Sequence, residues 1–109
     1  MRCKVRISPL AANDLNDIKE YIAGDNPHAA AKLVNTLLAV IQKLAHFPKL
    51  GSPLSSKINI QTDYRYLVCE TYLIFYKIEG EYISVYRVLN GARDYLSILF
   101  ADDLPKGEG

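Results

Sequence analysis

Residues Tyr64 to Phe100, YRYLVCETYLIFYKIEGEYISVYRVLNGARDYLSILF, leave the fold few choices. Three runs, 66–69, 72–78 and 82–89, are dense in Tyr, Ile, Val, Leu and Phe, side chains that suit a pleated, half-buried surface. Between the last two runs, Glu79-Gly80-Glu81 supplies a glycine able to take the positive φ of a tight hairpin. Glu70-Thr71 allows a second short reversal. The segment therefore reads as a three-stranded antiparallel meander. Gly91 breaks its last strand, and 93–100 can add two helical turns with Leu96, Leu99 and Phe100 on the buried side. A meander needs cover for at least one face, and the residues upstream must supply it. Function is expected at the other, open face and at the arginines near its end.

Upstream, residues 2–7 alternate strictly. Arg2, Lys4 and Arg6 fall on one side and Cys3, Val5 and Ile7 on the other, the pattern of a strand with one buried face. Ser8-Pro9 is a helix start, since serine caps and proline loses nothing at the first helical position. Ala11, Leu15, Ile18 and Ile22 then make one apolar stripe, and Gly24 stops the helix. Asn26-Pro27 repeats the device for a second helix carrying Ala30, Val34, Leu37, Ile41 and Leu44, with Leu33, Leu38 and Val40 widening the stripe. This second helix is expected to be the more buried, to lie between the first and the sheet, and to end at Phe47-Pro48. The short link makes the two an antiparallel hairpin. Residues 48–63 read as a long irregular connection in which Ile58 and Ile60 are placed to form a short extra strand. The order β-α-α-β-β-β-(α) defines an α+β fold, a mainly antiparallel sheet with a helical hairpin on one face. Residues 1–100 form one domain, and the polar stretch 101–109 is expected to be a disordered tail.

The net charge of +1 provides no strong basic field for nucleic acid, although Arg2, Lys4 and Arg6 form a local basic stripe. No apolar run is long enough to span a membrane, and no signal-peptide pattern opens the sequence, so a cytoplasmic protein is expected. Cys3 and Cys69 then read as free thiols. Two His and two Cys make no metal-ligand spacing, and there is no glycine-rich phosphate loop; neither metal nor cofactor is expected.

Three arginines stand out. Arg87 shares its nominal strand face with Ile83, Val85 and Leu89, and a charge in an apolar row needs a partner or a function. The plainer reading is an arginine at the sheet edge with its stem packed and its head in water or paired with Glu or Asp. Arg93 follows the Gly91 break beside Asp94 and Tyr95, and Arg65 opens the meander. Eight tyrosines interleaved with these cations can stack bases, but they equally suit strands and protein interfaces. His28 and His46 lie at opposite ends of the second helix, and signals of an enzyme are weak.

The segments 72–78, YLIFYKI, and 84–94, SVYRVLNGARD, resemble the C-terminal half of RelE/ParE superfamily toxins. Ser8–Ile18 is similar to the first helix of that family, and Phe47-Pro48 with Gly51 to its following turn. The resemblance covers about residues 3–100. It implies a toxin of a type II toxin–antitoxin, plasmid-stabilisation-type module, with a cognate antitoxin as partner. Its two branches differ in action: one cleaves mRNA on the ribosome without a metal, and the other inhibits DNA gyrase. The ribonuclease branch places an arginine after the tyrosine opening the second meander strand; here that residue is Leu73, which cannot stabilise phosphate charge. The resemblance therefore implies the gyrase-inhibiting, ParE-like branch, although Asn90 stands where many such sequences carry His.

On this reading Arg87, Arg93, Asp94 and Tyr95 form the target-binding set. Arg2, Lys4 and Arg6 offer the antitoxin a strand edge and a basic stripe. The alternative is a ribonuclease in which Arg65 and Arg93 bind phosphate and Tyr95 orients or deprotonates the 2′-hydroxyl. A toxin-like fold that only binds a partner stands as a third possibility.

Overall fold

The computed structural model describes residues 3–101. Arg2 and residues 102–109, which hold most of the expected tail, lie outside the described residues. The elements are β1 (Lys4–Ile7), α1 (Pro9–Ala23), α2 (Pro27–Lys43), β2 (Ser52–Pro53), β3 (Arg65–Cys69), β4 (Tyr72–Glu79), β5 (Tyr82–Asn90) and α3 (Tyr95–Leu99), with a single 3₁₀ turn at Leu54–Ser56. The five strands form one sheet in the order β1-β5-β4-β3-β2. Only the β1–β5 pair is parallel, so the sheet is mainly antiparallel as the sequence implies.

The helix starts behave as their residues dictate. The Ser8 hydroxyl accepts the Ala11 N–H at 3.0 Å, and the Asn26 side chain accepts that of Ala29 at 3.0 Å. Gly80, at φ +64°, is the first of the two residues linking β4 and β5, where a type II′ hairpin places glycine. At the β3–β4 reversal the same demand falls on Glu70, whose φ of +59° is a strained choice for a residue with a Cβ.

Several expectations need correction. α2 ends at Lys43 rather than at Phe47-Pro48, and a turn carries the chain through Ala45 and His46. The Ala45 carbonyl there accepts the Cys3 N–H at 2.9 Å, a tertiary bond that periodicity does not reveal. α2 is also not interposed between α1 and the sheet. α1 itself closes on β5 through the fully buried Ala11, while Leu37 and Ile41 of α2 are buried in the same core. The extra strand is Ser52–Pro53, not Ile58–Ile60. Ile58 instead packs into the second core and Ile60 is exposed.

Both faces of the sheet are covered. The helix-side core joins Leu15, Leu37, Ile41 and Leu44 to Ile74, Tyr76, Ile83, Val85 and Val88. On the opposite face, expected to be open, a second core gathers Leu54, Leu73, Phe75, Leu89 and Phe100, with Tyr66, Tyr95 and Leu96 packed against it. The division follows a bulge. Phe75 stands opposite Arg87, but Tyr76 stands opposite Val85, leaving Tyr86 as the extra residue. The slip breaks the alternation, so Ile83 and Val85 face the helices while Leu89 faces the other way. Arg87 therefore does not share a continuous face with all three.

Candidate functional site

The far half of β5 loses its strand neighbour, because β1 ends at Ile7, opposite Val85. The chain entering α1 takes over that edge. Ser8 donates its N–H to the Val85 carbonyl and its hydroxyl to that of Tyr86, each at 2.9 Å. Asp14, one turn into α1, accepts the Val88 N–H at 2.9 Å. Its two carboxylate oxygens also accept from Arg87 Nε and Nη2, both at 2.8 Å. This forked geometry is the strongest form of carboxylate–guanidinium pairing. Asp14 is buried and Arg87 nearly so. The bond to Asp14 raises the Arg87 pKa above its ordinary value, against the opposing effect of burial. Arg87 is thus paired with an acid, one of the outcomes left open by its place in an apolar row.

Sequence reasoning missed Asp14. The available signal was an acid inside the apolar stripe, between Ala11 and Leu15, where α1 faces the sheet.

The structure disperses the other candidates. Arg93 lies in the exposed turn after β5, its N–H bonded to the Asn90 carbonyl at 3.0 Å. Its guanidinium forms no ion pair or hydrogen bond among the described residues. Asp94 caps α3, accepting from the Ser97 hydroxyl at 2.7 Å. The Tyr95 ring packs on Phe75 at 5.5 Å, on the face away from the helix hairpin, with the Lys57 ammonium 5.9 Å from its centre. Arg65 stands opposite Tyr76, on the helix side, and donates to the Gly51 carbonyl at 2.7 Å. Arg65 and Tyr95 therefore occupy opposite faces of the sheet.

Arg65 belongs to a structural knot. The buried Tyr76 hydroxyl accepts the Gly51 N–H at 2.9 Å and donates to the Pro48 carbonyl at 2.7 Å. There the chain passes from the helix side, around the β3 edge, to the opposite core at Leu54. A Cβ on Gly51 would sit 2.5 Å from the Tyr66 carbonyl oxygen and 2.8 Å from the Tyr76 hydroxyl, so only glycine fits without a shift.

A second cluster lies toward the β4–β5 hairpin. Arg6 donates to Ser84 Oγ at 2.6 Å, pairs with Glu79 at 3.1 Å and stacks 4.3 Å from the Tyr82 ring centre. The Tyr86 hydroxyl also donates to Glu79, at 2.9 Å, and the Lys77 ammonium lies 4.5 Å from the Tyr64 ring centre and 5.2 Å from that of Tyr86. Hydrogen bonds from Ser84 and Tyr86, then Arg6, hold the Glu79 carboxyl below its ordinary pKa. Burial and then Glu79 push the Tyr86 phenol up. Arg6 thus already has an internal acid, whereas Lys4 is exposed on the same outer strand. Among the described residues, no group of three His, Cys, Asp or Glu is placed to hold a metal ion. No helix among them is long and apolar enough to cross a membrane.

Residues 5–95 match the family model of the ParE toxin of the type II toxin–antitoxin system parDE. The chain belongs to the ParE toxin family. Among the solved structures that share its fold are two toxin–antitoxin systems. The chromosomal ParDE toxin–antitoxin system from P. aeruginosa aligns over 82% of this chain and 96% of that one, at 21% identity and a TM-score of 0.69. The RelBE2 toxin–antitoxin complex from Mycobacterium tuberculosis aligns over 83% and 99%, at 19% identity and a TM-score of 0.55. Among curated proteins no match was found. The ParE family lies within the RelE/ParE superfamily that the meander resembles, and the α+β architecture of the chain is that of the superfamily.

Proposed function

We propose that this ParE-family chain is the toxin of a type II pair, that it acts by binding DNA gyrase, and that a cognate antitoxin holds it at rest. The observation that carries the reading is the family match across residues 5–95. The placement of the candidate residues adds support. A metal-independent ribonuclease needs its phosphate-binding cations and its phenol around one scissile bond. Here Arg65 is tied into the Gly51 knot on one face and Tyr95 packs on Phe75 on the other. Leu73, at the position where the ribonuclease branch carries arginine, is buried in the second core.

Arg93 is the target-binding residue best placed to act, since its charge is exposed and uncommitted among the described residues. Arg87 acts through Asp14 as the support of that end of β5. The antitoxin is expected to add a strand along the outer edge of β1, where Lys4 and Arg6 lie.

The deciding experiment adds the purified chain to a gyrase supercoiling reaction and, in parallel, follows labelled-precursor incorporation after induction in a bacterial host. Inhibited supercoiling with early arrest of DNA synthesis is expected. Early arrest of translation with ribosome-dependent mRNA cleavage, lost in Arg93→Ala, would instead establish the ribonuclease activity.

A further inference from the structure

A groove of about 480 Å³ runs between α1 and the turn that follows β5. Ile18, Tyr72 and Val88 give it an apolar lining, and Tyr21, Asp17 and Arg93 add aromatic and charged groups. Tyr21 is 84% exposed, the most exposed of the large apolar side chains on the described surface. An aromatic ring left in water on a well-formed helix contributes little to folding. Tyrosine and arginine beside an apolar floor are the residue types that anchor protein interfaces.

The charges of the groove narrow what fits it. Asp14 also lines it, but its carboxylate is committed to Arg87 and Val88. Asp17 retains an exposed carboxylate whose hydrogen-bond partner among the described residues is the Asn13 amide at 3.4 Å. The Arg93 guanidinium has neither an acid nor an acceptor among the described residues. We infer that this groove, rather than the sheet face beneath α3, is the surface on which the poisoned target docks. It takes a protein segment that brings a carboxylate to Arg93, a donor to Asp17 and an apolar side chain between them onto Tyr21 and Tyr72. The inference rests on the toxin reading above and adds α1 to a target surface otherwise drawn from β5 and the residues after it. The Asp14–Arg87 pair fixes the two walls of the groove to each other.

The test induces the full chain in a bacterial host and titrates the purified protein against gyrase supercoiling, comparing wild type with Tyr21→Ala, Arg93→Glu and, as control, Lys32→Glu on the exposed side of α2. Tyr21 is too exposed for its loss to unfold the chain, and melting curves verify this. Tyr21→Ala and Arg93→Glu are each expected to lose at least about tenfold in potency, the loss typical of an interface anchor, with Lys32→Glu unchanged. Growth arrest of wild-type strength in Tyr21→Ala removes the groove as the target surface while leaving the toxin reading in place. Arrest by wild type without gyrase inhibition, lost in both groove variants, keeps the groove and replaces gyrase as the target. Absence of arrest by wild type removes the toxin reading and the groove proposal with it.

Discussion

The two faces of the sheet are closed by different means. On one, two long amphipathic helices lay continuous apolar stripes over Ile74, Tyr76, Ile83 and Val85. On the other, a 3₁₀ turn, an irregular connection and the five residues of α3 surround Phe75 and Leu89. Distributed area together with the single Asp14–Arg87 clamp secures the first, whereas the second has less area and depends on local fastenings such as the Gly51 knot and Phe100. A face closed by area tolerates single losses in proportion to the atoms removed. A face closed by fastenings is expected to fail at particular positions.

The largest effect should come from the clamp that joins α1 to β5. Asp14→Ala leaves Arg87 half-buried without its acid and Val88 without an acceptor, and is expected to cost about 3 kcal/mol in urea unfolding. A loss below about 1 kcal/mol would show that the helix side is held by area alone. Gly51→Ala comes next, at about 2–3 kcal/mol, because backbone and a buried ring must move to admit the methyl group. Hydrogen exchange should show the resulting opening concentrated in 48–64 and α3 rather than in α1 and α2. Uniform opening would mean that the two faces are one cooperative unit.

Tyr76→Phe keeps the ring but orphans the Gly51 N–H and the Pro48 carbonyl, and a loss of about 1–2 kcal/mol is expected. Glu70→Gly should go the other way. It relieves a left-handed residue in the reversal and should gain about 0.5 kcal/mol after the added chain entropy of glycine is subtracted.

The smallest effect is a pH dependence at the hairpin end. The Glu79 carboxyl has a lowered pKa in the folded state, so its contribution is present above the unfolded value of about 4.3 and is lost as pH falls through the folded value. The melting difference between wild type and Glu79→Gln should therefore be largest near neutral pH and shrink in acid. A difference that grows in acid would contradict the Arg6–Glu79–Tyr86 arrangement.

The sequence by itself determined the meander and the two capped helices, because each rests on short-range physics, and it carried the resemblance that placed the chain in its superfamily. A strand's apolar run, a Ser-Pro or Asn-Pro start and a glycine at a hairpin act through residues close in the chain. Tertiary structure alone decided what closes the second face, since Leu54, Phe75 and Phe100 meet only after the chain has rounded the β3 edge. It also decided the roles of the arginines. The sequence does not say what the guanidinium groups of Arg65, Arg87 and Arg93 meet, yet one binds a loop carbonyl, one a buried aspartate and one no described residue. The bulge at Tyr86 is the physical reason for part of this. One extra residue in β5 changes which face every later side chain occupies, and no periodicity count reveals where the slip occurs.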